Sequence, residues 1–218
     1  MTEDLPGWWE PLRTRVLDAE ATDFTRLPTP DDDDSRQSAV LVLFGEQPGS
    51  GPDVLLLQRA DTLRHHAGQV AFPGGAVDPG DADVADTALR EAAEEVGLDP
   101  GTVQIVAHLP TLWIPVSKFL VTPILAWWRT PHEVGPVDVA EVAHVTRVPV
   151  RDLTDPDNRL RLRHRSGWIG PAFRIPDRLV WGFTAGVLST LLELGGWARP
   201  WPMDRVEELP APGATKVP

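Results

Sequence analysis

Apolar positions along this chain fall into two rhythms, separated by polar breaks. The first is a set of short, dense runs. SAVLVLFG (38–45) and DVLLLQR (53–59) flank the turn-like EQPGSGP. Runs of this length, bounded by glycine and proline, predict two strands of a hairpin. GQVAFPGG (68–75) predicts a short strand that ends in a glycine turn, and strand-like runs recur at 103–109, 119–127 and 141–150, with weaker ones at 159–163 and 168–175. The second rhythm is helical. In DADVADTALREAAEEVG (81–97), Ala85, Leu89, Ala92 and Val96 return to one side, with Asp81 as N-cap and Gly97 as C-cap. RLVWGFTAGVLSTLLELGG (178–196) predicts a second, apolar helix, and residues 8–20 a short one with Trp9, Leu12, Val16 and Leu17 on one side. The breaks are LPTPDDDDSRQ (27–37), an exposed loop or linker, and the closing ELPAPGATKVP, which reads as disordered. The chain shows no internal repeat. The pattern predicts an α/β protein, with a mixed sheet covered by helices on its faces.

Composition narrows the partners. The 218 residues are 42% apolar and 24% charged, with a net charge of −12. An excess of acid argues against a nucleic-acid backbone as partner. It leaves room for a small anionic substrate met through divalent metals and a few local arginines. Without cysteine there are no disulfides, thiolate zinc sites or thiol nucleophiles. The acidic, polar start does not read as a signal peptide, and the apolar runs are too short to span a bilayer. The expectation is a cytoplasmic protein with no membrane and no nucleic-acid partner; a homodimer is compatible with the sequence, which does not give the oligomeric state.

REAAEEVGL (90–98) carries the chemistry. On a helical wheel Glu91, Glu94 and Glu95 fall within an arc of roughly 100°. Three carboxylates so close repel one another unless cations neutralise them, and oxygen-only ligands suit magnesium or manganese. Alone, such a face would more often be solvated helix surface. Two neighbours favour a site. Arg90 is placed to hold a carboxylate through a bidentate contact, and Gly74-Gly75 let the backbone approach a ligand closely.

With those residues in view, the sequence resembles the Nudix hydrolases. Their signature ends in R-E-U-x-E-E-x-G-U, where U is a bulky aliphatic, and residues 90–98 match it except that Ala92 replaces the first aliphatic. In the first half, Asp81 stands where a glutamate is expected six positions after Gly75. Arg90 arrives one residue late, and neither Asp78 nor Asp81 is a clean equivalent. LLLQRADTLRHHAGQVAFPGG (55–75) further resembles the extra motif of the coenzyme A pyrophosphatase branch, L-L-T-x-R-[S/A]-x3-R-x3-G-x3-F-P-G-G, with Leu57 in place of threonine. WGFTA (181–185) is similar to the opening of that branch's late helix.

The resemblance implies a Nudix-type α/β/α sandwich with a mixed β-sheet. Residues 37–197 would be the hydrolase domain, 1–36 an N-terminal helix and acidic linker, and 198–218 a partly disordered tail. It implies hydrolysis of the diphosphate bond of coenzyme A or a derivative, giving 4′-phosphopantetheine and adenosine 3′,5′-bisphosphate. Glu91, Glu94 and Glu95 would bind Mg2+ or Mn2+, with the Gly75 carbonyl as a further ligand. Glu91, Glu95 and Arg90 would form the catalytic set, Arg90 by orienting a glutamate. The general base stays open among Glu91, Glu95 and Glu141, the last also readable as a plain surface residue. Arg59, Arg64, Gly74 and Phe72 would form the substrate-binding loop, with Arg64 also readable as part of an exposed basic loop and Phe72 as core. ADP-ribose or dinucleotides are the rival substrates. A non-catalytic nucleotide-binding module is a further alternative, although it would be expected to have lost some of the carboxylates.

Overall fold

A computed structural model of the chain describes residues 5–30, 35–63, 66–176 and 178–210. A 3-10 turn leads into α1 (Glu10–Val16) and α2 (Ala21–Phe24). β1 (Arg36–Gln47) and β2 (Gly51–Arg59) make the expected hairpin, turning through Gly49 and Gly51 at φ of 77° and 73°. After β3 (Val70–Ala71), β4 (Gly74–Ala76) and α3 (Val84–Val96) come β5 (Val103–His108), β6 (Leu112–Ile114), β7 (Phe119–Trp128) and β8 (Val142–Pro149). The chain closes with α4 (Val150–Thr154), β9 (Arg159–Arg163), β10 (Ile169–Ile175), β11 (Arg178–Val180), α5 (Gly182–Leu194) and β12 (Val206–Glu208).

The main sheet is eight-stranded, ordered β3-β2-β1-β7-β5, with β8 also on β2, β4 on β1 and β6 on β7. It is mixed because β1 and β7 run parallel while the other pairs are antiparallel. Its central strands look unbroken in apolarity because both faces are covered. Ala39, Leu41 and Leu43 of β1, Leu55 and Leu57 of β2, and Ile124, Ala126 and Trp128 of β7 pack under α3. The alternate residues Val42, Phe44, Val54, Leu56, Leu125 and Trp127 pack under α1 and α5. Period-two alternation thus gives each helix layer its own core.

Several boundaries differ from the sequence reading. Asp81 does not cap α3. Asp83 does, its carboxylate accepting from the amides of Ala85 and Asp86, and Gly97 closes the helix in the left-handed conformation as expected. Leu17 is 68% exposed because α1 ends at Val16. Residues 178–180 form strand β11, antiparallel to β10, rather than the start of a helix. The tail supplies β12, parallel to β9, so its first residues are ordered; residues 211–218 lie outside the described set. β9 to β12 form a separate four-stranded sheet, where the sequence suggested only weak strands. Among the described residues no helix is long and apolar enough to cross a membrane.

Candidate active site

The glycine pair joins β4 to both the sheet and the helix. Gly74 pairs with Val40 and Gly75 with Ala39. Gly74 has a φ of 155°, and a Cβ there would lie 2.6 Å from Val40 Cα and overlap the Ala39 carbonyl. A Cβ on Gly75 would fall 2.5 and 2.6 Å from the two carboxylate oxygens of Glu91. The two positions need glycine for different reasons: at 74 a side chain would strike the β1 backbone, and at 75 it would displace the Glu91 carboxylate. Alanines at 85, 88 and 92 let α3 sit low enough for that approach, all three being buried. One turn further on, Glu95 Oε2 accepts the Gly74 amide at 2.9 Å.

Arg90 ties the loop to the helix. Its Nε and Nη2 donate to the two oxygens of Asp81 at 2.8 and 3.0 Å, a bidentate pair. Nη1 donates to Glu91 Oε1 at 2.9 Å and to Glu94 Oε2 at 3.2 Å, and Nη2 reaches the Ala76 carbonyl at 3.2 Å. Arg90 thus contacts two of the glutamates, but its bidentate partner is Asp81. Asp81 also accepts from the Asp78 amide and the Thr87 hydroxyl. Arg90, then the amide, then the hydroxyl hold its carboxyl well below the usual carboxylate range. The sequence left the role of Asp81 open; its position, six after Gly75, was the available signal.

Glu95 is the buried member, 8% exposed. Burial pushes its carboxyl up to about 7; the Gly74 amide opposes this, Glu91 adds repulsion, Arg59 lowers it and Glu141 raises it. Arg59 Nη1 stands 3.9 Å from Glu95 Oε1. The β2–β8 register shifts between Gln58 and Arg59, an irregularity of the kind that re-aims a side chain at a sheet edge. Glu141 is exposed, and its carbonyl accepts the Ala60 amide at 2.8 Å.

Glu91, Glu95, Gly74, Gly75, Arg59 and Arg90 are thus brought together, with Glu141 within electrostatic reach. Glu94 is at the rim, its side chain 62% exposed and turned onto Arg90. Phe72 needs correction as a substrate contact. It is 3% exposed and lies in the core under α5, so it shapes the turn and offers no surface to a ligand. Arg64 lies outside the described residues. A pair the sequence did not single out, Gln58 and Arg178, bridges the two sheets: Arg178 Nε donates to Gln58 Oε1 at 3.0 Å, and the Gln58 amide to the Gly68 carbonyl at 3.3 Å.

Among the described residues no three acidic or histidine side chains converge at ligating geometry. The partners above explain this: Arg90 draws off Glu91 and Glu94, and the Gly74 amide holds Glu95. The donor set nevertheless fits a hard divalent ion. It is all oxygen, and Glu95 is buried next to Glu91 with Arg59 as its nearest cation, 3.9 Å away.

Known proteins agree with this architecture. A model of the NUDIX domain family matches residues 34–168. The uncharacterised Nudix hydrolase NudL of Cronobacter sakazakii is 39% identical over 171 residues, covering 73% of this chain and 83% of that protein. NudL of Klebsiella pneumoniae is 39% identical over 176 residues, covering 76% and 85%. Among solved structures, the Nudix hydrolase RenU of M. smegmatis matches with a TM-score of 0.50 at 22% identity, over 74% of this chain and 86% of that one. The chain belongs to the Nudix hydrolase family.

Proposed function

We propose that the chain is a metal-dependent hydrolase of the diphosphate bond in coenzyme A or its derivatives. The products are 4′-phosphopantetheine, or its acylated form, and adenosine 3′,5′-bisphosphate. The observation that carries the hydrolase chemistry is the placing of Glu91 and Glu95 against Gly74 and Gly75, with Arg59 beside them. The substrate assignment rests on the motif of residues 55–75. Leu57, which stands in for the motif's threonine, is 1% exposed in the core under α3. The departure therefore alters packing and not a ligand surface.

Glu91, Glu94 and Glu95 would hold Mg2+ or Mn2+. When bound, the ion neutralises diphosphate oxygens and acidifies a water. Arg90 keeps Glu91 and Glu94 aimed and ties them to the loop through Asp81. Arg59 brings positive charge to the phosphates; its buried Nε has no hydrogen-bond partner among the described residues. Glu91 or Glu95 would take the proton from the attacking water. Glu141 remains the second candidate for that step.

The test is incubation with coenzyme A and, separately, ADP-ribose, with Mg2+ or Mn2+, and identification of products by mass spectrometry. Release of 4′-phosphopantetheine and adenosine 3′,5′-bisphosphate, with ADP-ribose cut much more slowly, is the expected result. Cleavage of ADP-ribose alone would keep the hydrolase and discard the coenzyme A assignment.

A further inference from the structure

The last two residues of β2 point to opposite sides of the main sheet. Leu55 and Leu57 pack under α3, and Leu56 between them packs on the α5 side. Period-two alternation continues to the strand end, sending Arg59 to the α3 side and Gln58 to the other. Their contacts follow. Arg59 Nη1 stands 3.9 Å from Glu95 Oε1, while Gln58 Oε1 accepts from Arg178 Nε, on β11 of the second sheet, at 3.0 Å. Arg59 has little to anchor its own side chain. Its buried Nε has no hydrogen-bond partner among the described residues, and 3.9 Å is too long for a hydrogen bond from Nη1. The backbone beneath it therefore sets where the guanidinium stands.

That backbone is tied on both sides of the residue. The Arg59 amide donates to the Gln69 carbonyl at 2.9 Å, and the Arg59 carbonyl accepts from the Gly68 amide at 3.2 Å. The Gly68 carbonyl in turn accepts from the Gln58 side-chain amide at 3.3 Å. Arg178 decides which end of that amide points there. A guanidinium only donates, so it takes the Gln58 oxygen and leaves the NH2 to turn toward Gly68. The choice of glutamine is informative. A contact that only fastened the two sheets would be stronger with a carboxylate at position 58, but a carboxylate could not donate to Gly68.

We propose that Arg178 is a positioning residue of the diphosphate site. Through the Gln58 amide and the Gly68 carbonyl it holds the strand end from which Arg59 meets the substrate's phosphates. The assignment rests on the reading of Arg59 as a phosphate contact, and adds to it a residue of the second sheet that itself stays off the substrate. Two substitutions break the link. Arg178→Met keeps the apolar stem and removes every donor, and Gln58→Leu removes the amide without changing charge.

Each is made alone and combined with Arg59→Met, as a double-mutant cycle. KM and kcat are measured on coenzyme A with Mg2+, the Kd of inorganic pyrophosphate by calorimetry, and the melting temperature by circular dichroism. Arg178→Met and Gln58→Leu are each expected to raise KM about fivefold, with kcat within about twofold of native, and to change KM by less than about twofold once Arg59 is gone. The pyrophosphate Kd should follow the same pattern. Equal effects with and without Arg59 would mean that Arg178 acts by another route, and would overturn the proposal. So would a lowered melting temperature with KM and Kd unchanged, the result for a plain clasp between sheets. If Arg178→Met does not fold, Gln58→Leu decides by the same cycle. If coenzyme A is not cleaved, the pyrophosphate cycle still decides: coupling to Arg59 keeps the proposal while the coenzyme A reading falls, and its absence removes both.

Discussion

The two faces of the main sheet solve opposite problems with helices of equal length. α3 and α5 each have 13 residues. α3 packs through alanines and so comes close to the backbone, bringing Glu91 and Glu95 onto two glycines that have no side chains to obstruct them. α5 packs through Val187, Leu188, Leu191 and Leu192 against aromatic neighbours, and carries no carboxylate toward the sheet. One face gathers carboxylates and arginines; the other holds hydrocarbon. Close approach and small residues make a reactive edge, whereas bulk makes a support.

Mutation should separate the two. The largest effect is expected for Glu95→Gln, with kcat lowered on the order of a thousandfold, the scale of losing one group that stabilises developing charge. Steady-state kinetics beside an unchanged circular dichroism spectrum would check it; a normal rate would remove Glu95 from the site. Leu188→Ala, at a position with 0% exposure, should reverse the pattern. Its unfolding free energy should drop by about 3 kcal/mol in urea titrations, while kcat/KM stays near native.

A third prediction concerns metal-free protein. The folded carboxyl of Glu95 is pushed up to about 7 from a usual 4.5, so its neutral form favours folding. That contribution is complete below pH 4.5 and is lost as pH rises through 7, on the order of 3 kcal/mol in all. In chelator, Glu95→Gln should therefore gain stability relative to the native chain between pH 5 and 8; parallel curves would mean that Glu95 is not the group responsible. The smallest effect is for Asp81→Asn. Arg90 keeps only one of its two hydrogen bonds to residue 81, because the amide NH2 cannot accept, and loses an ionic partner; activity should fall about tenfold, the lower end for a residue that orients a metal ligand. Mg2+ titration of the rate would show it as a raised requirement for metal.

Local pattern was enough to read some of this and not the rest. β1, β2 and β7 are legible because strands buried on both faces concentrate apolar residues, and α3 because its period and Gly97 agree. The start of α5 was misread because Leu179, Val180 and Trp181 are as apolar as the helix they precede. Gly182, at a φ of 67°, marks the turn between strand and helix. β12 has no apolar rhythm; pairing with β9, more than forty positions earlier, makes it a strand. The same limit applies at the site. The glutamates could be counted from spacing. That Glu95 would be buried, Glu94 left at the rim and Arg90 claimed by Asp81 depends on how a loop folds back over the helix, and helical spacing carries no information about that.

The boundary of the family match has a further meaning when set beside the packing. Residues 34–168 contain α3 but neither α1 nor α5. Yet Trp8 lies within 5.5 Å of Trp127 and 5.8 Å of Trp197, ring centre to ring centre, so that the 3-10 turn before α1, the sheet and the segment after α5 meet in one aromatic cluster. Segments on either side of the family match thus meet over the α5 face of the main sheet. The family model and the packing therefore draw different outlines here: the model covers the strands and α3, and an aromatic cluster contributed from both sides of it packs against the sheet.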